Sequence, residues 1–346
     1  MPTPTSTEAM PPTGARERAA VTLRDVAQRA GVSMMSVSRA IRSPHQVSPQ
    51  TLQRVNEAVA SMGYVPNLVA GGLRASKSYL VTALVPTTTG PLFAEMVQSL
   101  TEALDARGYQ VMLGEIGYAR SREDALLRAI VGRRPDGIVL TGVMHSEEGR
   151  RMLLASGIPV VETWDFTATP IDMLVGLSHE RLGEAVCAYL HQRGRRRPAL
   201  ISGDDERAAR RHSGFLREAQ RRGLPTPAAH FGRSPTTHAE GRLGVATLLA
   251  SDPDIDAVFC SSDMLALGVL TEARVRGIDV PGRLSVVGFG DLAFAETVSP
   301  SLTTVRIDGT RIGQTAAQLI VDRAEGHAVA EPVVDIGFSI VQRESA

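Results

Sequence analysis

A small all-α helix-turn-helix head, followed by an α/β body of two doubly wound parallel-sheet lobes, is the fold class this 346-residue chain predicts. Three observations point there. Between Thr22 and Arg42 two short amphipathic segments flank Gly31, a residue suited to a tight turn. From Leu80 onward short apolar runs alternate with helical stretches, the pattern of parallel sheets covered on both faces. Seven or more strands with a break near Ser178 fit two similar lobes better than one sheet.

The head comes first. Thr22 is placed to cap a first helix whose apolar face is Leu23, Val26, Ala27 and Ala30, at i, i+3, i+4 and i+7. Gly31 ends that helix, and Ser33 caps a second in which Val37 and Ile41 face inward. Met34, Met35, Ser36, Ser38, Arg39 and Arg42 are left for the outer face. Such a mixture of hydroxyls, thioethers and guanidinium forks can meet base edges and phosphates. After the loop SPHQV, Ser48-Pro49 opens a third helix with Leu52, Val55 and Val59 as its buried stripe and Gly63 at its end. In the segment beyond, Asn67, Ala70 and Leu73 are spaced three apart.

Charge supports a nucleic-acid partner for this end. Residues 21–78 carry seven basic side chains against two acidic ones, a local charge of +5 in a chain whose net charge is zero, so the remainder carries −5. Lys77 is the sole lysine, which excludes a Schiff-base enzyme built on a lysine in the body. The first 20 residues, rich in Pro, Thr and Ala without an apolar stretch, read as a disordered tail rather than a secretion signal. No run approaches the ~20 apolar residues of a membrane span. Cys187 and Cys260 lie far apart in apolar surroundings, which fits neither a disulfide framework nor a metal site and suggests a reducing, cytoplasmic setting.

In the body, LVTALVP, YQVMLGE, DGIVLTG and IPVVETW read as strands of one lobe, and RPALISG, DAVFCSS and LSVVGFG as strands of the other. Ligands of such sheets collect at the carboxyl ends of the strands. The candidates there are Thr87, Thr88 and Phe93, then Thr141 and His145, then Trp164 with Asp165. The second lobe offers Arg211, Ser262 with Asp263, and Gly290 with Asp291. The single tryptophan beside an aspartate suits a polyol, while core packing would explain the same indole equally well. Most arginines in DDERAARRH are expected to be solvated. Enzyme motifs are missing: no GxGxxG opens a helix after a strand, and no Walker loop, nucleophile elbow, HExxH or CxxC occurs. No enzyme activity, cofactor or metal is therefore expected.

VTLRDVAQRAGVS…VSRAI…VS……GYVPN..A..L resembles the headpiece and hinge of the lactose-repressor (LacI/GalR) family of bacterial transcription factors, and the resemblance runs from Val21 onward. It implies a helix-turn-helix domain over 21–66, a hinge over 67–79 and an effector-binding and dimerisation domain over 80–346. In that body the chain would cross between lobes near Ser178, Val305 and Ile336, giving lobe one about 80–177 and 306–336, and lobe two about 178–305 and 337–346, in the manner of periplasmic sugar-binding proteins. It also implies DNA contacts at Leu23, Arg24, Ser33, Met34, Met35, Ser36, Ser38, Arg39, Gln46, Asn67 and Ala70, with Leu73 as a minor-groove wedge. Effector contacts would come from Thr87, Phe93, Thr141, His145, Trp164, Asp165, Arg211, Ser262 and Asp291.

Departures from the family pattern are informative. Gly71-Gly72 inside the hinge segment costs roughly 1 kcal/mol of helix stability per residue, so the hinge helix is expected to form only on DNA. Gly290 and Ser262 replace an Asp and an Asn found in many sugar-binding members, which weakens the case for a neutral sugar and favours a sugar acid. IPVVETWD, VFCSSD and GFGD look closest to the gluconate-repressor branch. The expected function is a homodimeric, ligand-responsive repressor on a pseudo-palindromic double-stranded operator. A co-repressor-dependent repressor, an activator of the same build and a sugar-binding protein that does not act on DNA are the alternatives. The ending QRESA shows no leucine heptads, so a tail-mediated tetramer is not expected.

Overall fold

The computed structural model describes residues 21–65, 77–88, 91–117, 120–143 and 146–346. The expected disordered tail, the Asn67/Ala70/Leu73 hinge with Gly71-Gly72, and His145 lie outside these residues. The chain divides into two compact units, residues 1–76 and 77–346.

The first unit holds α1 (Leu23–Ala30), α2 (Met34–Arg42) and α3 (Pro49–Met62). Each begins where a side chain can satisfy an orphan amide. Thr22 and Asp25 form a reciprocal capping box on α1, and the Thr22 hydroxyl donates to the Asp25 carboxylate at 2.7 Å. The hydrogen bonds from Thr22 hold the Asp25 pKa below its ordinary value. Ser33 Oγ accepts from Ser36 N at 3.1 Å, and Ser48 Oγ from Thr51 N at 3.3 Å ahead of Pro49. Gly31 ends α1 at φ 64° and Gly63 ends α3 at φ 63°, the left-handed conformation that costs glycine little. Val26, Val37 and Val55 are fully buried at the centre, with Leu23, Ile41, Leu52 and Val59 packed around them.

The second unit runs β1 (Leu80–Val85), α4 (Ala94–Asp105), β2 (Gln110–Glu115), α5 (Arg120–Val131), β3 (Gly137–Thr141), α6 (Glu147–Ser156), β4 (Val160–Thr163), β5 (Met173–Gly176) and α7 (His179–Gln192). It continues with β6 (Pro198–Gly203), α8 (Glu206–Arg221), β7 (Ala229–Gly232), α9 (His238–Ser251), β8 (Ala257–Cys260), α10 (Asp263–Val275), β9 (Ser285–Phe289), β10 (Thr303–Arg306), α11 (Gly309–Ala324), β11 (Val333–Asp335) and β12 (Ser339–Val341). Two six-stranded sheets result, ordered β11-β5-β4-β3-β1-β2 and β12-β10-β9-β8-β6-β7. Every pairing is parallel except β10 with β12. Near-continuous burial along β1, β3, β4, β6, β8 and β9 explains their unbroken apolar runs, since helices cover both faces.

The sheets are interleaved in sequence. The chain leaves the first sheet after β5, builds the second through β10, returns with α11 and β11, and ends in the second with β12. Strand order reverses between β1 and β3 in one sheet and between β6 and β8 in the other, which places a crevice at the carboxyl ends of those strands. Helix α7 packs on α8 with backbones in contact: a Cβ on Gly183 would lie 2.0 Å from the Arg211 carbonyl oxygen, and one on Gly214 2.0 Å from that of Glu180. The two glycines therefore fix α8 against the lobe-linking α7. Both cysteines are free and buried, and burial pushes the Cys187 thiol up to about 12, so neither is a reactive thiolate.

Candidate functional site

On the head, the outward face of α2 is a compact, exposed surface. Met34 is 47% and Met35 70% exposed, and Arg39 is exposed beside them. Arg24 and Gln46 are exposed, whereas Leu23 is half-buried in the small core. Ser33 and Ser36 share a hydrogen bond at 2.9 Å as part of the α2 cap, so both hydroxyls already have partners within the protein. Ser38 is half-buried. Among the described side chains of this face, Arg39 and the two methionines are exposed and make no hydrogen bond or ion pair that would withhold them from a partner.

In the body, the strand ends converge on a cavity of about 640 Å³. The first sheet contributes Thr87, Phe93 and Trp164; the second contributes Asp205, Arg207, Arg211, Ser262, Asp263 and Phe289, with His179 at the crossing between them. Of the residues expected from sequence, Thr87, Phe93, Trp164, Arg211 and Ser262 are brought together here. Thr141 and Asp165 are buried close by without lining the cavity. Asp291 is not part of the lining: it turns away at φ 50° and pairs with Arg306 and with Arg343, the latter at 2.8 Å. Gly290 supplies no side chain, and the nearest atom to a Cβ there would be Leu92 Cδ1 at 3.2 Å. Thr88 is occupied by the Glu115 carboxylate, 2.6 Å from its hydroxyl.

The start of α8 supplies the cations of the cleft, contrary to the expectation that most arginines in DDERAARRH are solvated. Asp205 caps it, accepting from Ala208 N at 3.0 Å, and Arg207, Arg210 and Arg211 then project on one side at i, i+3 and i+4. Arg207 lies 5.2 Å over the Phe93 ring. Arg210 donates to Asp165 Oδ1 at 2.8 Å and to the Phe166 carbonyl at 3.3 Å. These contacts span the two lobes. Arg211, 5% exposed, donates to His179 Nδ1 at 3.1 Å and to the Ser261 carbonyl at 3.3 Å, and stacks 4.3 Å over Phe289. Its Nε–H has no acceptor among the described residues. Burial lowers the Arg211 pKa to about 10, partly opposed by Asp205. Burial works to raise Asp205, but Arg211 and Arg207 hold its carboxyl below the ordinary value.

Trp164 sits at the carboxyl end of β4 with φ 63°, a left-handed conformation that costs a bulky residue about 1–3 kcal/mol. Surrounding contacts hold it there. The indole N–H approaches Met96 Sδ at 3.1 Å, the ring meets Phe93 edge-on at 5.2 Å, and His179 Nε2 lies 2.8 Å from the Trp164 carbonyl oxygen. Tryptophan is thus both core and cavity wall. Opposite it, Asp263 opens α10 behind the Ser262 cap; its carboxylate accepts from Thr304 Oγ1 at 2.5 Å and from Leu292 N at 2.7 Å. Burial raises its pKa to about 6, against the lowering effect of those hydrogen bonds.

Sequence reasoning missed Asp205, Arg207, His179 and the Ser234–Ala239 segment, all of which line the cavity. A signal for the first two existed in the spacing Asp205-x-Arg207-x-x-Arg210-Arg211, an N-cap followed by cations on one helical face. The Ser234–Ala239 segment, a turn that runs into the start of α9, follows β7, a four-residue strand with three half-buried residues and an exposed Phe231.

An exposed basic helix-turn-helix head joined to a two-lobed body with a charged cleft defines a regulator that couples a small molecule to DNA. Residues 22–67 match the model of bacterial regulatory proteins of the lacI family, and residues 187–346 match the periplasmic binding protein-like domain. A transcriptional regulator named GntR from Pseudomonas aeruginosa is 37% identical over 94% of this chain and 95% of its own, and one of the same name from Escherichia coli K12 is 30% identical over 92% and 96%. The crystal structure of a LacI-family regulator from Silicibacter pomeroyi superposes with a TM-score of 0.88 at 33% identity, covering 94% of this chain and 99% of that one. The chain belongs to the lacI family of bacterial transcriptional regulators. No described helix is long and apolar enough to cross a membrane.

Proposed function

We propose that this regulator is a repressor that binds a pseudo-palindromic operator as a homodimer and is released by a sugar acid of gluconate type held between the lobes. The observation that carries the ligand reading is the buried Arg211 fork, which lines the cleft and whose Nε–H finds no acceptor among the described residues. A carboxylate or vicinal hydroxyl pair complements such a fork. Arg207 adds a second cation beside the Asp205 and Asp263 carboxyls of the lining, and Gly290 adds no further carboxylate. The phenyl and indole faces of Phe93, Phe289 and Trp164 suit the C–H faces of a polyol chain. The resemblance to the gluconate-repressor branch and the similarity to two regulators named GntR support the same reading.

On the DNA side, twofold symmetry would match two half-sites, one for each head. The hinge segment 67–79 and domain boundaries at 21–66 and 80–346 belong to this proposal, with Leu73 as a wedge that bends the operator. Ligand closing the cleft would favour the body conformation that separates the hinges.

Thermal shift of the purified protein tests the ligand class. A ligand at a hundred times its dissociation constant stabilises by about 2.7 kcal/mol, so gluconate should raise the melting temperature clearly while its neutral alcohol, glucitol, does not. Operator retardation should then be reversed by gluconate. A shift with glucitol equal to that with gluconate would remove the anion from the proposal, and retardation by DNA lacking any palindrome at the same affinity would remove the operator.

A further inference from the structure

His179 opens α7, at the point where the chain passes from the first sheet to the second, and is 2% exposed. Both of its ring nitrogens are engaged, and its partners lie in different lobes. Nε2 is 2.8 Å from the carbonyl oxygen of Trp164, which can only accept, so Nε2 carries the proton. Nδ1 is 3.1 Å from Arg211 Nη1, which can only donate, so Nδ1 is the acceptor. The two neighbours together dictate one neutral tautomer. Burial and the positive charge of Arg211 hold the imidazole pKa well below its ordinary value, and Arg207 and Arg210 act in the same direction.

We propose that His179 is a positioning residue that ties the Arg211 fork to the Trp164 turn and so transmits the state of the cleft between the lobes. The effector role of the cleft that this serves rests on the function proposed above. Geometry makes the link specific. The α7/α8 glycine contact fixes the Arg211 backbone against α7, so a change in the fork is passed to the imidazole rather than lost in helix sliding. At the other end the carbonyl being held belongs to the one residue of that strand end whose backbone is left-handed. When a ligand anion engages the Arg211 fork that Nδ1 holds in place, the load on the imidazole changes and with it the hold on Trp164.

The single tryptophan of the chain is a built-in reporter, and two near-isosteric replacements divide the imidazole's two bonds. In His179→Gln the amide nitrogen falls where Nε2 was and can still donate to the Trp164 carbonyl, but the acceptor for Arg211 is gone. In His179→Asn the amide oxygen falls where Nδ1 was and can still accept from Arg211, but the hold on Trp164 is gone. Acrylamide quenching of the full-length protein without ligand should be at least twofold faster for His179→Asn than for His179→Gln. Arg211→Met should change the quenching in the wild-type background and add nothing in the His179→Gln background, where the link is already cut. Equal quenching of the two His179 variants, or an Arg211→Met effect that is the same in both backgrounds, overturns the proposal. Calorimetry with gluconate then separates the two claims. His179→Gln should weaken binding at least tenfold more than His179→Asn does. Wild-type protein that binds no gluconate would count against the ligand reading alone, since the quenching pattern reads the link without any ligand.

Discussion

Gly183→Ala is the sharpest perturbation the α7/α8 contact allows. The added methyl would lie 2.0 Å from the Arg211 carbonyl oxygen, whereas carbon and oxygen in close backbone contact sit about 3.3–3.6 Å apart. The helices must part by more than about 1 Å to admit it, and because the obstacle is backbone no rotamer change can relieve it. Overpacking of this kind costs roughly 1–3 kcal/mol, and the rigidity of the neighbour places this case near the top of that range. At roughly 2–4 °C per kcal/mol for domains of this size, about 3 kcal/mol should lower the melting temperature by roughly 6–12 °C. The same displacement carries Arg210 away from Asp165 and Arg211 away from His179, bonds of 2.8 and 3.1 Å with no slack. Calorimetric unfolding and gluconate titration should therefore both respond, with affinity reduced at least tenfold. Gly277→Ala is the control: a Cβ there meets nothing within 4 Å, the only penalty is φ of 66°, and the expected loss is about 1–2 kcal/mol with gluconate binding intact. A Gly183→Ala protein melting within 2 °C of wild type would refute the reasoning, because the helices could then separate freely.

Three further outcomes follow from the same geometry. Ser33→Ala removes the α2 cap and should cost the head about 1 kcal/mol of stability, read from the thermal unfolding of the head and accompanied by weaker operator retardation. Arg39→Ala should cost about 1–3 kcal/mol of discrimination between operator and scrambled DNA; unchanged selectivity in a competition assay would take it out of base reading. Asp263, raised by burial to about 6 from an unfolded value of about 4, binds its proton more tightly folded than unfolded. Its contribution is therefore a loss of stability as pH rises between about 4 and about 6, reaching at most about 3 kcal/mol above that window. Urea unfolding at pH 4.5 and 7.5 should show Asp263→Asn lacking that part of the wild-type slope, and identical slopes would place the Asp263 carboxyl in contact with solvent.

How much of this could be read from the chain depended on how local each cause was. The head was fully legible, because caps, left-handed glycines and the i, i+3, i+4 stripe are encoded within a few residues of one another: Thr22 with Asp25, Ser33 with Ser36, Ser48 ahead of Pro49. The long buried strands announced themselves as unbroken apolar runs. β5, β7, β10, β11 and β12, each three or four residues long, did not. In the cleft, residues that directly follow a strong strand, such as Thr87, Trp164 and Ser262, were readable from sequence as part of the cavity wall. Asp291 was not, since its partners Arg306 and Arg343 are distant in sequence and only the folded sheet shows that they draw the carboxylate away. His179 carried no sequence signal at all, because its meaning lies in two contacts, one 15 and one 32 residues away.

The interleaving of the two sheets bears on how the body is made. Strands β1 to β5 leave the ribosome first, but α11, which packs on α4 and on the β3, β4 and β5 side of the first sheet, comes more than 130 residues after β5 ends. Until residues 309–324 have been synthesised, the apolar surface that Ile312, Ala316 and Ile320 will cover stands open. The second sheet likewise waits for β12 at residues 339–341 to close one edge. Neither lobe can therefore mature in isolation during translation, and the body should pass from unfinished to folded late and as a unit, with its nascent first half a natural client for chaperones.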